Sequence, residues 1–272
     1  MPEGHVIHRL ADAIGAAFAG EPVEVTSPQG RFAESAAMLD GTVLTSAQAW
    51  GKHLVISFDN HHDEHLLHIH LGLIGKLVVG LAVPVVGQVR LRITDGVKAA
   101  DLRGPQTCTL INDDEWVEIM ADIGPDPIRG DADPEIGWQK VRRSSRRISD
   151  LLLDQTIAAG VGNIYRAEVL FRHRIDPETP GKQVSHSTWV AIWNDLVILM
   201  RAGVKTGRID TVQPQHTPEA MGRPPRVDRH GGEVYVYRRE NQPCLVCGTP
   251  VKMALQGGRH LFWCPRCQRR HH

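Results

Sequence analysis

Residues 151–171 decide the fold of the C-terminal half and read Leu-Leu-Leu-Asp-Gln-Thr-Ile-Ala-Ala-Gly-Val-Gly-Asn-Ile-Tyr-Arg-Ala-Glu-Val-Leu-Phe. Two apolar patterns with helical spacing, Leu151–Ala158 and Ile164–Phe171, flank the sequence Gly160-Val-Gly-Asn163. Because glycine tolerates a left-handed backbone, the chain can reverse sharply between the two helices. We expect Asn163 to cap the second helix, whose outward N–H groups then offer an anion site. Capping alone is the simpler role for Asn163.

A cysteine module follows this stretch near the C-terminus. Sixteen residues separate Cys244-Leu-Val-Cys247 from Cys264-Pro-Arg-Cys267, a spacing typical of a four-thiolate zinc ribbon. A closed set of four thiolates makes such a zinc ion structural, and two disulfides fit the count but not the expected compartment. The segment between the knuckles predicts a tight turn with Arg259 near its tip. Arg259 either grips a phosphate or is a solvated turn residue.

The N-terminal half has a different pattern. Apolar residues at helical spacing predict an amphipathic helix from Gly4 to Ala19, with Pro2 and Glu3 at its positive N-terminal end. Short β-rich runs separated by Gly, Asp and Asn then predict an antiparallel sandwich or barrel. The expected strands are Val43–Trp50, His53–Phe58, His65–Leu71, Lys76–Val79, Val89–Ile93 and Thr107–Ile111.

The length of 272 residues favours more than one domain. A segment rich in Pro, Gly and Asp, residues 123–137, is predicted to link an N-terminal β-sandwich domain (1–122) to a helical domain (138–237). The cysteine module occupies residues 238–272. The fold class expected is therefore α+β and multidomain.

Charge is balanced in total but polarised along the chain. The 31 Lys and Arg residues equal the 31 Asp and Glu residues, which at first argues against a nucleic-acid partner. Residues 95–135 nevertheless carry eleven acids and three bases, whereas residues 238–272 carry seven bases and one acid. Such asymmetry is typical of nucleic-acid binding, although solvated faces explain it equally well. The sequence has neither a signal-peptide start nor a membrane-length apolar run, so we expect a cytoplasmic protein without a membrane partner.

Five motifs in series resemble the formamidopyrimidine-DNA glycosylase and endonuclease VIII family, from Pro2 to Gln268. The resemblance implies a β-sandwich domain, a helix-two-turn-helix domain, a zinc finger holding one structural Zn²⁺, and a DNA cleft between the domains. It implies DNA with oxidised bases or abasic sites as the partner, no nucleotide cofactor, and a monomer associated with the bacterial nucleoid. The motifs are Pro2-Glu3, Gly51-Lys52, His70-Leu-Gly-Leu-Ile-Gly75, Asp154-Gln155 with Gly160–Tyr165, and Arg259.

The chemistry of the first motif accounts for its residues. Removal of Met1 leaves Pro2 with a secondary amine, and α-amino groups have an ordinary pKa of roughly 7.7–8.0, so a neutral fraction exists. This amine can attack sugar carbon C1′ and form an iminium intermediate. Glu3 is then placed to move protons, for example to the ring oxygen O4′. The structural alternatives are a first-turn proline and a glutamate cap favoured by the helix dipole.

Further roles follow from the resemblance. Lys52 is by resemblance a strand lysine that contacts the phosphate beside the lesion and assists protonation; the alternative is an edge-strand lysine that prevents aggregation. Asn163 and Arg259 would hold the same DNA backbone, with Arg259 counted among the catalytic residues. These contacts suit an enzyme that flips a nucleotide out of the duplex.

Departures from the family pattern bear on the substrate. The formamidopyrimidine branch usually has methionine at the position of Leu73 and Arg-Phe-Gly where this chain has Arg103-Gly104-Pro105. The chain thus resembles the endonuclease VIII branch, which favours oxidised pyrimidines, and Leu73 is the expected residue to fill the gap left by the flipped base. A second Pro-Glu pair is replaced by His5-Val6.

These features predict a bifunctional DNA glycosylase and abasic-site lyase of base excision repair, acting through a Pro2 Schiff base and β,δ-elimination. Two alternatives remain. One is a glycosylase of the formamidopyrimidine type that removes 8-oxoguanine. The other is a non-catalytic zinc-ribbon protein that binds DNA.

Overall fold

The computed structural model describes residues 2–228 and 232–269 of the chain. Met1, whose removal would expose the Pro2 amine, and Arg270, one of the seven C-terminal bases, lie outside the described residues. The chain divides between Ile123 and Gly124 into two compact units. Within the described ranges, every helix is too short or too polar to cross a lipid bilayer.

The N-terminal unit is built from two four-stranded antiparallel sheets, with strand orders β2-β3-β4-β8 and β1-β6-β7-β5. Apolar side chains of both sheets and of helix α1 form one core, so the expected antiparallel sandwich is confirmed. The elements are α1 (Gly4–Phe18), β1 (Glu24–Thr26), α2 (Ala33–Leu39), β2 (Val43–Trp50), β3 (His53–Asp59), β4 (Leu66–His70), β5 (Lys76–Leu81), β6 (Leu91–Thr94), β7 (Lys98–Arg103), β8 (Thr107–Ile111) and α3 (Asp113–Ala121).

Two strands of this unit were not predicted, β1 and β7. Strand β7 carries Asp101 among its buried residues, which is why its sequence resembles a polar loop. Arg92 of the neighbouring strand donates two hydrogen bonds to the Asp101 carboxylate, at 2.7 and 2.9 Å. A cross-strand ion pair of this geometry satisfies the charge inside a strand. The ion pair, and with it the strand, becomes recognisable only when the pairing of β6 with β7 is known.

Helix α3 explains part of the acidic run. Asn112 and Glu115 form a capping box, in which each side chain accepts a hydrogen bond from the other residue's backbone N–H, at 2.9 and 3.0 Å. The acids of its first turn lie at the positive end of the helix dipole. Trp116 and Ile119 pack against the outer face of the β2-β3-β4-β8 sheet. Part of the acidic run thus belongs to a capped helix that packs on the sheet.

The C-terminal unit is helical and ends in a two-stranded hairpin. Helix α4 begins at Pro134, inside the segment predicted as a linker, because Asp133 caps it through the backbone N–H of Glu135. The elements are α4 (Pro134–Val141), α5 (Ile148–Leu151), α6 (Asn163–Arg172), α7 (His186–Thr206), α8 (Pro218–Met221), β9 (Lys252–Gln256) and β10 (Arg259–Trp263), with 3-10 turns at Gly181–Gln183 and Pro214–His216.

The predicted helix Leu151–Ala158 is wrong. Helix α5 ends at Leu151, and side chains hold the following residues in turns. The backbone N–H of Thr156 donates to the Asp154 carboxylate at 3.1 Å, and that of Gly160 donates to Gln155 Oε1 at 3.0 Å. Such local bonds compete with helix formation. Gly160 has φ +83°, so the expected glycine-dependent reversal occurs there.

Helix α6 carries a fully buried carboxylate. Glu168 is 0% exposed, and its two oxygens accept four hydrogen bonds of 2.6–2.8 Å. The donors are the Thr211 hydroxyl and the backbone N–H groups of Tyr235, Val236 and Tyr237. A buried charge is tolerated when its acceptor sites are filled in this way. Glu168 thereby fixes the segment that leads into the cysteine module.

We expect Glu168→Gln to destabilise the C-terminal unit by about 3 kcal/mol, because the amide places a donor group against the backbone N–H groups that now donate to the carboxylate. Urea denaturation of the full chain followed by circular dichroism measures this loss. Glu219→Gln, at an exposed position of α8, is the matched control and should be neutral. Equal stability of the two variants would contradict the role of Glu168.

Candidate functional site

The N-terminal end of α1 presents the Pro-Glu pair. Glu3 is the N-cap residue of α1 and is only 2% exposed, while Pro2 is half-buried. The Glu3 backbone carbonyl accepts the Val6 N–H at 2.9 Å, but its side chain makes no capping hydrogen bond. Capping therefore does not account for this carboxylate. A buried carboxylate beside a half-buried proline is a suitable arrangement for proton transfer.

Lys52 lies in the turn between β2 and β3, as the expected strand bounds place it, although the resemblance describes a strand lysine. It occupies the second position of the two-residue turn Gly51–Lys52, which is closed by the pair Trp50 and His53. Gly51 has φ +59°, a backbone conformation that such a tight hairpin turn requires. Lys52 is only 9% exposed, so it is not a solvated edge-strand lysine either. Helix α1 packs against both strands that this turn connects.

Three histidines lie next to this turn, on β3 and β4. His53 Nδ1 and His68 Nε2 are 3.0 Å apart, and the His70 ring lies 5.0 Å from the His53 ring. Burial, followed by repulsion from neighbouring histidines, lowers the pKa of His53 to about 3 and of His68 to about 4. His53 was not singled out from the sequence. Its position directly after Lys52, at the start of a strand that precedes the strand of His68 and His70, was the signal available.

The turn between β4 and β5 presents two large apolar side chains to solvent. Leu73 is 69% exposed and Ile74 is 86% exposed. Gly72, with φ +67°, opens the turn, and a Cβ atom there would lie 2.8 Å from Gln106. Exposed aliphatic side chains at a tight turn are suited to insertion between stacked bases. The structure thus leaves Leu73 accessible and adds Ile74, which the sequence analysis did not single out.

In the C-terminal unit, Asn163 is not the cap of α6. Gly162 is the N-cap residue, and Asn163 is the first residue of the helix. Its side-chain amide instead donates to the backbone carbonyl of His260 at 2.8 Å. Arg166, fully buried one turn later, donates to the Asn163 side-chain carbonyl and fixes the orientation of the amide. The predicted capping role is therefore wrong, and the side chain joins α6 to β10.

Arg259 begins strand β10, directly after the turn Gly257–Gly258. Both glycines have positive φ, +54° and +75°, as a type I′ hairpin turn requires. Arg259 pairs with Gln256 across the hairpin, and the buried Gln256 accepts the Ser149 hydroxyl at 3.0 Å. The positions on both sides of the turn are thus anchored to helices. Arg259 is near the tip of a fixed hairpin, as the sequence predicted, and is partly exposed.

The four cysteines converge. The sulfur atoms of Cys244, Cys247, Cys264 and Cys267 all lie within 4.8 Å of one another. Two of the separations are 3.5 and 3.9 Å. Thiolates around tetrahedral zinc, with bonds of about 2.3 Å, are separated by about 3.8 Å. These cysteines therefore form a four-cysteine site whose geometry fits zinc.

Together, these features are those of DNA glycosylases with a helix-two-turn-helix motif. Three family models match the chain: the formamidopyrimidine-DNA glycosylase N-terminal domain over residues 1–108, the formamidopyrimidine-DNA glycosylase H2TH domain over residues 123–214, and the zinc finger found in FPG and IleRS over residues 241–270. The three matches cover most of the sequence.

Similar whole proteins agree. The chain is 47% identical over 277 aligned positions to Endonuclease 8 1 of Mycobacterium tuberculosis (strain ATCC 25618 / H37Rv), covering 98% of this chain and 100% of that protein. It is 29% identical to the formamidopyrimidine-DNA glycosylase of Legionella pneumophila (strain Lens), over 85% of this chain and 83% of that one. The chain belongs to the formamidopyrimidine-DNA glycosylase and endonuclease VIII family and is a DNA-repair glycosylase with abasic-site lyase activity.

Solved structures show the same fold. The Lactococcus lactis Fpg in complex with abasic-site DNA superposes with a TM-score of 0.79 at 23% identity, covering 98% of this chain and 100% of that chain. The same protein with DNA containing N7-benzyl-Fapy-dG gives a TM-score of 0.80 at 22% identity, covering 99% of this chain and 100% of that one. The predicted fold class is confirmed.

Acidification is expected to destabilise the N-terminal unit before its carboxylates titrate. His5, His53 and His68 have pKa values of about 4, 3 and 4 in the folded chain against 6.5 unfolded, mainly because they are buried. Between pH 6.5 and about 4 the unfolded state binds protons that the folded state does not. The free energy of unfolding should therefore decrease as the pH is lowered through this range, by up to about 1.4 kcal/mol per pH unit for each histidine.

Urea denaturation of the full chain at pH 7, 6 and 5 tests this expectation. His68→Gln removes one titrating group and should make the decrease smaller. A stability that stays constant from pH 7 to pH 5 would show that the three histidines are not held neutral by the fold.

Proposed function

We propose that this chain removes oxidised pyrimidines from DNA through covalent catalysis by Pro2 and then cuts the strand on both sides of the sugar. The observation that carries the proposal is the Pro2-Glu3 pair in front of α1, in which Glu3 is buried beside the half-buried Pro2. The 47% identical relative, whose name is Endonuclease 8 1, supports the choice of branch.

The reaction starts with the neutral amine of Pro2, after removal of Met1. The amine attacks C1′ of the damaged nucleotide, the bond from C1′ to the base nitrogen breaks, and the base leaves with a proton. Glu3 supplies a proton to O4′ as the sugar ring opens and the iminium forms. The iminium makes the C2′ proton acidic, so elimination breaks the 3′ carbon–oxygen bond. A second elimination breaks the 5′ bond and leaves phosphates at both ends of the gap.

Phosphate contacts are assigned to residues of both units. Lys52 provides an ammonium group at a tight turn, and Arg259 provides a guanidinium group near the tip of an anchored hairpin. Asn163 contributes from the first position of α6, at the positive end of the helix dipole. Such contacts offset the few kcal/mol that flipping a nucleotide costs. Leu73, exposed at its turn, fills the gap left in the base stack.

The preference for pyrimidines rests on the sequence of one turn. The formamidopyrimidine branch usually places a phenylalanine in the Arg-Phe-Gly element, whereas this chain has Arg103-Gly104-Pro105. Gly104 has φ +54°, so the backbone there favours glycine and disfavours a bulky side chain. The apolar wedge of this chain is then limited to the turn that carries Leu73.

The four-cysteine site is proposed to hold one structural zinc ion. Metal analysis of the purified full chain should find about one zinc per chain, because a closed tetrahedral thiolate site binds zinc tightly. Cys264→Ser should lose the metal and lower the melting temperature. Cys108→Ser, which changes a cysteine outside the site, is the control and should retain zinc. Retention of zinc by Cys264→Ser would contradict the assignment.

Borohydride trapping tests the nucleophile. Incubation with duplex DNA containing 5-hydroxyuracil, in the presence of borohydride, should reduce the iminium to a stable adduct that peptide mass mapping places on Pro2. Intact-mass measurement establishes whether Met1 has been removed. Glu3→Gln should lower base removal by about 10²-fold or more, because proton transfer is lost. Glu34→Gln, at an exposed position on α2, is the matched control.

The outcomes separate the alternatives. An adduct at another residue, or base removal without any adduct, would overturn the Pro2 mechanism. A panel of single lesions then defines the branch: faster removal of 8-oxoguanine opposite cytosine than of 5-hydroxyuracil would assign the formamidopyrimidine type.

A further inference from the structure

The turn that carries Lys52 is closed by a chain of aromatic contacts, which we call the hairpin-end cluster: Trp50, His53, His68 and Trp116. The Trp50 and Trp116 ring centroids are 5.3 Å apart at an interplanar angle of 63°, and those of Trp116 and His68 are 5.9 Å apart. The His68 and His53 rings are nearly parallel, at 10°, with centroids 5.2 Å apart, as expected for two rings joined edge to edge by a hydrogen bond. Trp50 and His53 are opposite each other across the hairpin, so the two ends of this chain of ring contacts belong to the pair that closes the turn.

Strand register places the cluster on one face of the sheet. His53 lies opposite His70 and Val55 lies opposite His68, so the side chains of all four residues project from the same face. This is the outer face, where Val55 packs with Trp50 and Trp116. The opposite face, with Leu54 and Ile56, belongs to the main core.

Helix α3 supplies the outer part of the cluster. None of its residues is fully buried, and Trp116 is its contact with both Trp50 and His68. The helix, residues 113–121, lies outside the ranges of the two family models that flank it, which end at residue 108 and begin at residue 123. A capped helix with little buried surface is thus retained against the sheet by the side chain that completes the cluster.

The histidine pair requires one proton between its facing nitrogens. At 3.0 Å, His53 Nδ1 and His68 Nε2 form a hydrogen bond in which one ring donates and the other accepts. A second proton would place two N–H groups face to face. The positive charge of Lys52 and the nearby ring of His70 also disfavour a second proton on the pair, and the pKa of His53 is lowered accordingly. The bonded pair is therefore neutral and rigid.

We propose that the His53–His68 hydrogen bond, covered by Trp116, positions the turn so that the Lys52 ammonium group meets a DNA phosphate. His53 and His68 are positioning residues, since they act through Lys52. The inference rests on the proposed phosphate contact of Lys52.

The need for such positioning follows from the lysine side chain itself. Its four-carbon stem can adopt many rotamers, and burial of Lys52 to 9% exposure already restricts them before DNA binds. The pair that closes this two-residue turn, Trp50 and His53, is one support for its backbone. His68 of β4 bonds to His53, and Trp116 of α3 packs on His68. These contacts hold the turn in place before DNA binds, so less conformational entropy is lost when the complex forms.

Two substitutions of His68 separate hydrogen bonding from ring packing. His68→Phe keeps an aromatic ring against Trp116 and removes the bond to His53, whereas His68→Gln places an amide near the position of Nε2 and restores a polar partner. The full-length variants are compared by single-turnover cleavage of 5-hydroxyuracil duplex, by the salt dependence of binding to an uncleavable abasic-site duplex, and by melting temperature. His62→Phe, at an exposed loop position, is the matched control.

Lys52→Met should reduce the slope of log K against log salt by about 0.9, the value for one phosphate contact. His68→Phe should reduce the same slope and lower cleavage by about tenfold, the scale of a displaced catalytic group. His68→Gln and His62→Phe should stay within about twofold of the unmodified chain. In the Lys52→Met background, His68→Phe should cause a further loss of less than about twofold, because both changes remove the same interaction.

Several results would overturn the proposal. Additive losses in the double variant, or an unchanged salt slope in His68→Phe with native melting temperature, would show that the histidine pair does not act through Lys52. If His68→Phe fails to fold, His53→Phe, which removes the same hydrogen bond from its other partner, decides instead: a salt slope equal to that of the unmodified chain overturns the proposal. An unchanged slope in Lys52→Met, with the Pro2 adduct still formed, would contradict the proposed phosphate contact of Lys52. The proposed glycosylase mechanism would not be affected.

Discussion

The architecture of the C-terminal unit depends on the carboxylate of Glu168. An ionised group inside a protein costs several kcal/mol unless its oxygens are fully hydrogen-bonded, and four short bonds meet that requirement here. They fasten residues 235–237 to the middle of α6, just before the cysteine module. Asn163, at the start of the same helix, holds the carbonyl of His260. One ten-residue helix therefore fixes both the approach to the metal site and the hairpin that carries Arg259.

In the N-terminal unit, the proposed functional residues lie at the ends of elements and not within them. Pro2 and Glu3 precede α1, Lys52 occupies a two-residue turn, and Leu73 lies in the turn between β4 and β5. The sandwich core shared by α1 and both sheets holds these ends in place. Turns can present charged and apolar side chains to a ligand without cost to the core, and the sheets give them fixed positions. The hairpin-end cluster adds a local support of this kind beneath one turn.

Much of the fold could be predicted from local patterns. The bounds of β2 and β8 agree with alternation and turn residues, α1 agrees with its apolar period, and the cysteine spacing locates the metal site. The errors share one physical cause. Strand β7 contains Asp101, which is compatible with a strand only because Arg92 pairs with it. Helix α5 stops early because Asp154 and Gln155 bond to the following backbone, and their competition with a helix is not visible in apolar periodicity.

The sequence by itself determined the kinds of groups available: a proline amine next to a carboxylate, four thiolates at ribbon spacing, and basic residues at glycine turns. These follow from residue type and spacing along the chain. Only the tertiary structure decided the partners of those groups. It turned Asn163 from an expected cap into the link between α6 and β10, buried Lys52 at its turn, and brought Trp116 against His68. Such contacts join residues far apart in sequence, so burial and register, rather than local pattern, specify them.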